Sequence, residues 1–259
     1  METKTLSPQA LQVIEHYLHL PFQNQNIATP YFNNRRQKVR GALRVLIGKG
    51  SPEDIVEEAT IFGLKEKVDM GSISADQMRK FLIDHNIGID CSGLVYYVLD
   101  SELKAQKKSS LKKFLFFPQS ENPIRKFLTN LRPVENTGVK TLHDPKNCKT
   151  IALENVQPGD YITMIGTGRD HDLNHILLIH EVEYQNSKPK TLSYTHSLAW
   201  SSDGKYNHGV RQGKIHIKNS SQSLLDQSWK EKEKTDLENE TYWRATTAQE
   251  LTIDRLKTF

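Results

Sequence analysis

Residues 88–100 read GIDCSGLVYYVLD, a cysteine between an aspartate and a serine with an apolar run behind it. Asp90 is a residue type that caps helices by accepting an amide hydrogen bond, and the following Leu94, Val95, Val98 and Leu99 recur at helical spacing. The stretch therefore predicts a helix with Cys91 in its first turn. Unpaired amides and the positive end of the helix dipole favour a thiolate at that position, and the Cys91 N–H is placed to help bind an oxyanion. Small Ser92 and Gly93 are expected to leave room for a substrate.

Upstream, three further helix starts carry their own signatures. Ser7-Pro8 precedes Leu11, Ile14, Tyr17 and Leu18; Ser51-Pro52 has Asp54 three residues after the cap; Ser74 pairs with Gln77 as a capping box. Val39, Leu43 and Leu46 make a fourth stripe, which ends at Gly48 and Gly50. Residues 1–70 read as a helical N-terminal region, and four helices are expected before residue 88.

After residue 155 the period changes. VQPGDYITMIG, NHILLIHEVEY, TLSYTHSLAW and GVRQGKIHIK are β-branched or aromatic runs separated by polar turns, which predicts consecutive strands of an antiparallel sheet. Helices first and strands after give an α+β class. The charged run KEKEKTDLENE from residue 230 reads as a solvated helix or loop.

Between these parts, residues 101–133 hold eight Lys or Arg against Glu102 and Glu121, a local balance of +6. This basic segment reads as an insertion or lid outside the core, suited to an anionic polymer. The whole chain of 259 residues is ordinary in composition, with 36% hydrophobic and 25% charged residues and a formal charge of +4. Two cysteines, Cys91 and Cys148, are too sparse for a disulfide framework and read as free thiols. The N-terminus lacks the pattern of a secretory signal peptide, so a cytoplasmic place or release by a non-classical route is expected. No run of about 18 apolar residues occurs, so no membrane span is expected.

Histidines complete the chemistry. His175 opens the strand HILLIHEV, and His196 lies on the next strand, where it can face His175 and fix its tautomer. His180, five positions on, is expected on the far face of a regular strand. The spacing of His171, His175 and His180 fits no ordinary zinc pattern, and no metal or other cofactor is expected.

In order and approximate spacing, IDCSGLVYYVL, VQPGDYITM, HILLIHEV and YTHS resemble the motifs of the NlpC-type cysteine peptidases, a papain-like family of peptidoglycan endopeptidases. The likeness covers roughly residues 75–220. It implies a papain-like α+β domain over residues 71–259, with Cys91 as nucleophile, His175 as general base and His196 as the polar third residue. It further implies that Asp90 and Ser92 flank a subsite for a free amine or neighbouring group of the substrate. The implied activity is cysteine-dependent hydrolysis of stem-peptide amide bonds. A thioester-forming acyltransferase and a catalytically inactive polymer-binding module are the alternatives on the same fold. Many members of that family carry a tyrosine about ten residues before the cysteine, and ADQMRKFLIDHNIGID has none.

Overall fold

A computed structural model describes residues 1–22, 26–34, 44–106, 109–117 and 131–259. Its helices begin where the caps place them. In α1 (Pro8–Leu18) the Ser7 hydroxyl accepts from the Ala10 amide, and Ala10, Ile14 and Tyr17 are buried. α2 (Pro52–Glu66) and α3 (Ala75–Asp84) both start on reciprocal capping boxes, Ser51 with Asp54 and Ser74 with Gln77. The stripe containing Val39 and Leu43 falls outside the described residues; Val45–Ile47 form a 3₁₀ turn.

α4 (Cys91–Ala105) is buried on nearly every side, as a helix at the centre of a core must be. Asp90 caps it, accepting from the Gly93 amide at 2.6 Å. A Cβ on Gly93 would lie 2.8 Å from Ile89 Cδ1 and 3.2 Å from the Gly48 carbonyl. Gly93 therefore serves close packing of the helix start against the neighbouring loop, rather than access for a substrate as its size suggests.

The sheet consists of β1 (Glu2–Thr5), β2 (Cys148–Thr150), β3 (Tyr161–Thr167), β4 (Leu173–Gln185), β5 (Lys188–Leu198), β6 (Gly209–His216), β7 (Ser228–Glu231), β8 (Lys234–Thr235) and β9 (Glu250–Leu256). Strand order is β2-β9-β3-β4-β5-β6-β7-β8, with β1 paired to β4, and all these pairings are antiparallel. The expected run of four consecutive antiparallel strands is β3 to β6, and the α+β class holds.

Two expectations change. The N-terminal region is not purely helical, because β1 pairs with Glu181–Tyr184 of β4. The charged run from residue 230 is not wholly solvated: its first part closes the β7–β8 hairpin and buries Glu231, and Asp236–Glu238 form a 3₁₀ turn. The C-terminal segment, for which no structure is expected from the sequence alone, forms α5 (Glu240–Thr247) and then β9, which inserts between β2 and β3.

Leu and Ile of β4 alternate between two apolar clusters, as a strand buried on both faces requires. Ile176 and Leu178 join the cluster of α1, α2, α3 and α4; Leu177 and Ile179 join that of Trp229, Tyr194 and Ile215. The first cluster holds residues on both sides of position 70, from Leu6 to Leu256, so the helical N-terminal region and the remainder share one core. That cluster also takes Leu111, Leu115 and Phe117 from the basic segment. The described part of that segment is thus anchored in the core instead of lying outside it; Lys107, Lys108, Arg125 and Lys126 fall outside the described residues.

Candidate active site

Where the start of α4 meets the head of β4 there is a cleft of about 490 Å³, lined by Cys91, His175, Asp90 and Ser92 among others. The structure thus brings four of the five sequence-derived site residues to one cavity wall. The fifth, His196, lies behind His175: His175 Nε2 is 2.8 Å from His196 Nδ1, with the rings edge to face. Since Leu178 stands opposite Thr195, His196 is diagonally across the ladder from His175, within reach of a long side chain.

The relay continues beyond the residues found by sequence. His196 Nε2 lies 2.9 Å from Glu231 Oε2 in β7. An ionised carboxylate only accepts, so His196 Nε2 donates. In a neutral His196, Nδ1 then accepts from His175 Nε2–H, which leaves His175 Nδ1 as the unprotonated nitrogen. That atom is buried and has no hydrogen-bond partner among the described residues. The tautomer of the base is thus set from Glu231, two side chains away.

Glu231 is held firmly. Burial would raise its carboxyl, but His196, Arg211 and the Tyr194 hydroxyl outweigh that and hold it down at about 2. Tyr194 and Thr241 both donate to Oε2, at 2.8 and 2.9 Å. Tyr194 reaches β7 by crossing Gly213 of β6, where an added Cβ would stand 2.2 Å from the Tyr194 hydroxyl. Only glycine permits that crossing.

The thiol departs from expectation. Burial, and next the Asp90 carboxylate, push Cys91 up to about 12; Lys49 and the backbone amides of Ile176 and Ser92 pull the other way. Its helix position does not by itself make it acidic, because desolvation of the charged form is the larger effect. His175 is driven well below its ordinary value, first by burial and then by the repulsion a second charge would meet next to His196, with Arg244 and Arg211 adding to it. Thiol and imidazole line the same cleft in their neutral forms, with no hydrogen bond between them.

Asp90 and Ser92 line the cleft, but Lys49 occupies Asp90 Oδ1 and Ser92 Oγ. The Lys49 ammonium donates to Asp90 Oδ1 at 2.7 Å, to Ser92 Oγ at 2.7 Å and to the Thr137 carbonyl at 2.8 Å. Sequence reading missed Lys49, as it missed two other cleft residues, Tyr31 and Arg244. Arg244 stacks over Trp200 at 4.7 Å. Tyr31 brings a tyrosine to the cleft from 60 residues before Cys91, a distance at which no local motif could announce it.

The remaining histidines have separate partners. His180 Nδ1 is paired with Thr195 Oγ1 at 3.0 Å and lines a second cavity with Glu181 and Lys214; His171 Nδ1 bonds the Gly166 carbonyl. Among the described residues, the group with ligand-like spacing is His143, Cys148 and Asp254, outside the lining of the Cys91 cleft. There His143 is already held between Asp254 at 2.7 Å and Glu250 at 3.0 Å.

Compared with known proteins, the chain matches no family model, no curated protein and no solved structure. Among the described residues, no helix is long and apolar enough to cross a membrane.

Proposed function

We propose that this protein is a papain-like cysteine-dependent amide hydrolase that cleaves peptide bonds of peptidoglycan stem peptides or related cell-wall fragments. The observation that carries the reading is the line His175–His196–Glu231 next to the cleft that Cys91 lines, which leaves one buried imidazole nitrogen, His175 Nδ1, without a partner among the described residues. A nucleophile, a base and an orienting group in that relation are the parts an acyl-transfer centre needs. The substrate class comes from the sequence motifs alone.

In the first step the Cys91 thiol gives its proton to His175 Nδ1 as sulfur adds to the scissile carbonyl. The neutral resting pair suits this concerted transfer, since neither partner has to hold a charge before substrate arrives. The oxygen becomes an oxyanion against the Cys91 N–H, at the start of α4, where amides have no intrahelical acceptor. The C–N bond then breaks, the amine leaves with the proton from His175, and an acyl thioester remains on Cys91. Water, giving its proton to His175, attacks that thioester; the acid departs and the thiol recovers its proton. No cofactor enters the sequence of steps. Glu231 and His196 hold the base in one tautomer and stabilise the imidazolium that forms.

The test is incubation with defined peptidoglycan fragments, with mass analysis of the products beside added amine and alcohol acceptors. Hydrolysed peptide supports the reading. Products carrying the acceptor would instead identify an acyltransferase.

A further inference from the structure

Lys49 belongs to a short loop, Gly48-Lys49-Gly50, laid against the start of α4. The Asp90 amide donates to the Gly48 carbonyl at 2.9 Å, and the Tyr97 hydroxyl donates to the Lys49 carbonyl at 2.9 Å. The side chain is 7% exposed, and all three donor positions of its ammonium are filled by Asp90, Ser92 and Thr137. A buried ammonium costs several kcal/mol of lost hydration unless it is paired and hydrogen-bonded in this way, so such a lysine marks a specific electrostatic requirement. The group that sets this requirement is Asp90, a buried carboxylate one residue from the proposed nucleophile.

We propose that Lys49 is a positioning residue of the Cys91 centre, an internal counter-ion that cancels the Asp90 carboxylate and closes the anionic spot beside the nucleophile to positively charged substrate groups. The proposal rests on the amide-hydrolase reading for its consequence, but not for its test. Were Asp90 uncovered, its charge would oppose the sulfur anion that forms during attack, and it would also attract any substrate ammonium to the cleft wall. With Lys49 seated on Oδ1, the negative charge of Asp90 is paired within the protein. The peptide acted on then presents a neutral group there, an amide or a blocked amine in place of a free one.

Several other charged or titratable residues line the cleft: His175 of β4, Arg244 of α5, Asp172, and Glu135 and Lys140 in the short helical segments Pro133–Asn136 and Val139–Leu142. None of these touches Asp90 in a hydrogen bond, whereas Lys49 does.

The test follows the iodoacetamide alkylation rate of Cys91 against pH, read by intact mass in a Cys148→Ser background, for wild type, Lys49→Met and Lys49→Met/Asp90→Asn. Asn retains the capping function of residue 90. Lys49→Met is expected to slow alkylation at pH 8 about tenfold, a shift of roughly one pH unit. The double variant is expected to return to the wild-type profile. Ammonium ion, a single heavy atom like the Nζ that Met lacks, is expected to restore much of the Lys49→Met rate, and tetramethylammonium, which is larger and has no N–H to donate, is expected to restore none.

Superimposable profiles for wild type and Lys49→Met would overturn the proposal. So would equal slowing in both variants. If Lys49→Met does not fold, the double variant decides alone: folded with a wild-type profile it supports the proposal, and unfolded it overturns it, since Lys49 would then serve the fold irrespective of Asp90. Because alkylation needs no substrate, these outcomes are independent of whether the wild type hydrolyses stem peptides.

Discussion

His196 Nε2 lies 2.9 Å from Glu231 Oε2, and both side chains are almost wholly excluded from water. This bond makes Glu231 the origin of proton placement at the cleft, because an acceptor at one end of two neutral, hydrogen-bonded imidazoles fixes the tautomer of each. His175→Ala is expected to remove nearly all turnover. His196→Ala should retain a residue of activity, and His196→Asn should recover part of the loss, since its amide oxygen still accepts from His175. Glu231→Gln should lower kcat by about ten- to a hundredfold with little change in KM, a loss of geometry and charge at the base alone. His180→Ala should behave as wild type. Steady-state kinetics on variants confirmed folded by circular dichroism check all five.

Gly213→Ala tests the crossing of Tyr194 over β6. The added methyl meets the Tyr194 hydroxyl at 2.2 Å, so the ring must withdraw from Glu231 or the strands must part. Overpacking of this kind costs about 1–3 kcal/mol, and urea unfolding should show it. Loss of turnover should accompany it, because Glu231 loses a donor.

Stability should have a pH optimum with two separate causes. His175 has a folded value below 6.5, so the unfolded chain takes up a proton first and stability falls as pH drops below about 6.5. Glu231, at about 2 when folded against 4.5 ordinarily, extends that loss down toward pH 2. His143 runs the other way. Burial would lower it, but the bonds to Asp254 and Glu250 raise it, so its contribution is full below 6.5 and is lost as pH rises through the folded value. Urea midpoints against pH should therefore decline on both sides, and His143→Gln should flatten the alkaline side only.

Thiol reactivity separates the two cysteines by geometry rather than by acidity. Burial pushes both up to about 12, Cys148 with Asp254 adding to the effect. Cys91 lines the same cleft as His175, and Cys148 does not. Iodoacetamide should label Cys91 faster, and His175→Ala should slow that labelling. Equal rates for the two thiols would count against Cys91 as nucleophile.

The basic segment offers a salt-dependent test. Neutral replacements at Lys107, Lys108, Lys112 and Lys113 should raise KM on an anionic polymer chiefly at low salt, and leave a short neutral peptide unaffected. Equal loss on both substrates would point instead to damaged packing around Leu111 and Leu115.

What could be read in the sequence was local. The caps Ser7, Ser51, Ser74 and Asp90 announce their helices because capping is settled within four residues, and β3 to β6 announce themselves by composition and turns. Cys91, His175 and His196 stood out because each sits at a marked place in its own element. Glu231 did not: in KEKEKTDLENE it is one charge among many, and its burial depends on β7 pairing with β6 and on a tyrosine reaching across Gly213. Lys49 was hidden in the same way, since 41 residues separate it from the aspartate it neutralises. The acidity expected of Cys91 failed for a related reason. Desolvation is set by the whole core around α4, which no local motif reports.

The most direct measurement of the central claim is the product spectrum of defined peptidoglycan stem-peptide fragments with wild type and Cys91→Ala, each shown to be folded. The account predicts peptide cleavage by the wild type, with a mass gain of one water shared between two products, and none by Cys91→Ala. Cleavage by Cys91→Ala at the wild-type rate, or no cleavage of any fragment by folded wild type, would contradict it.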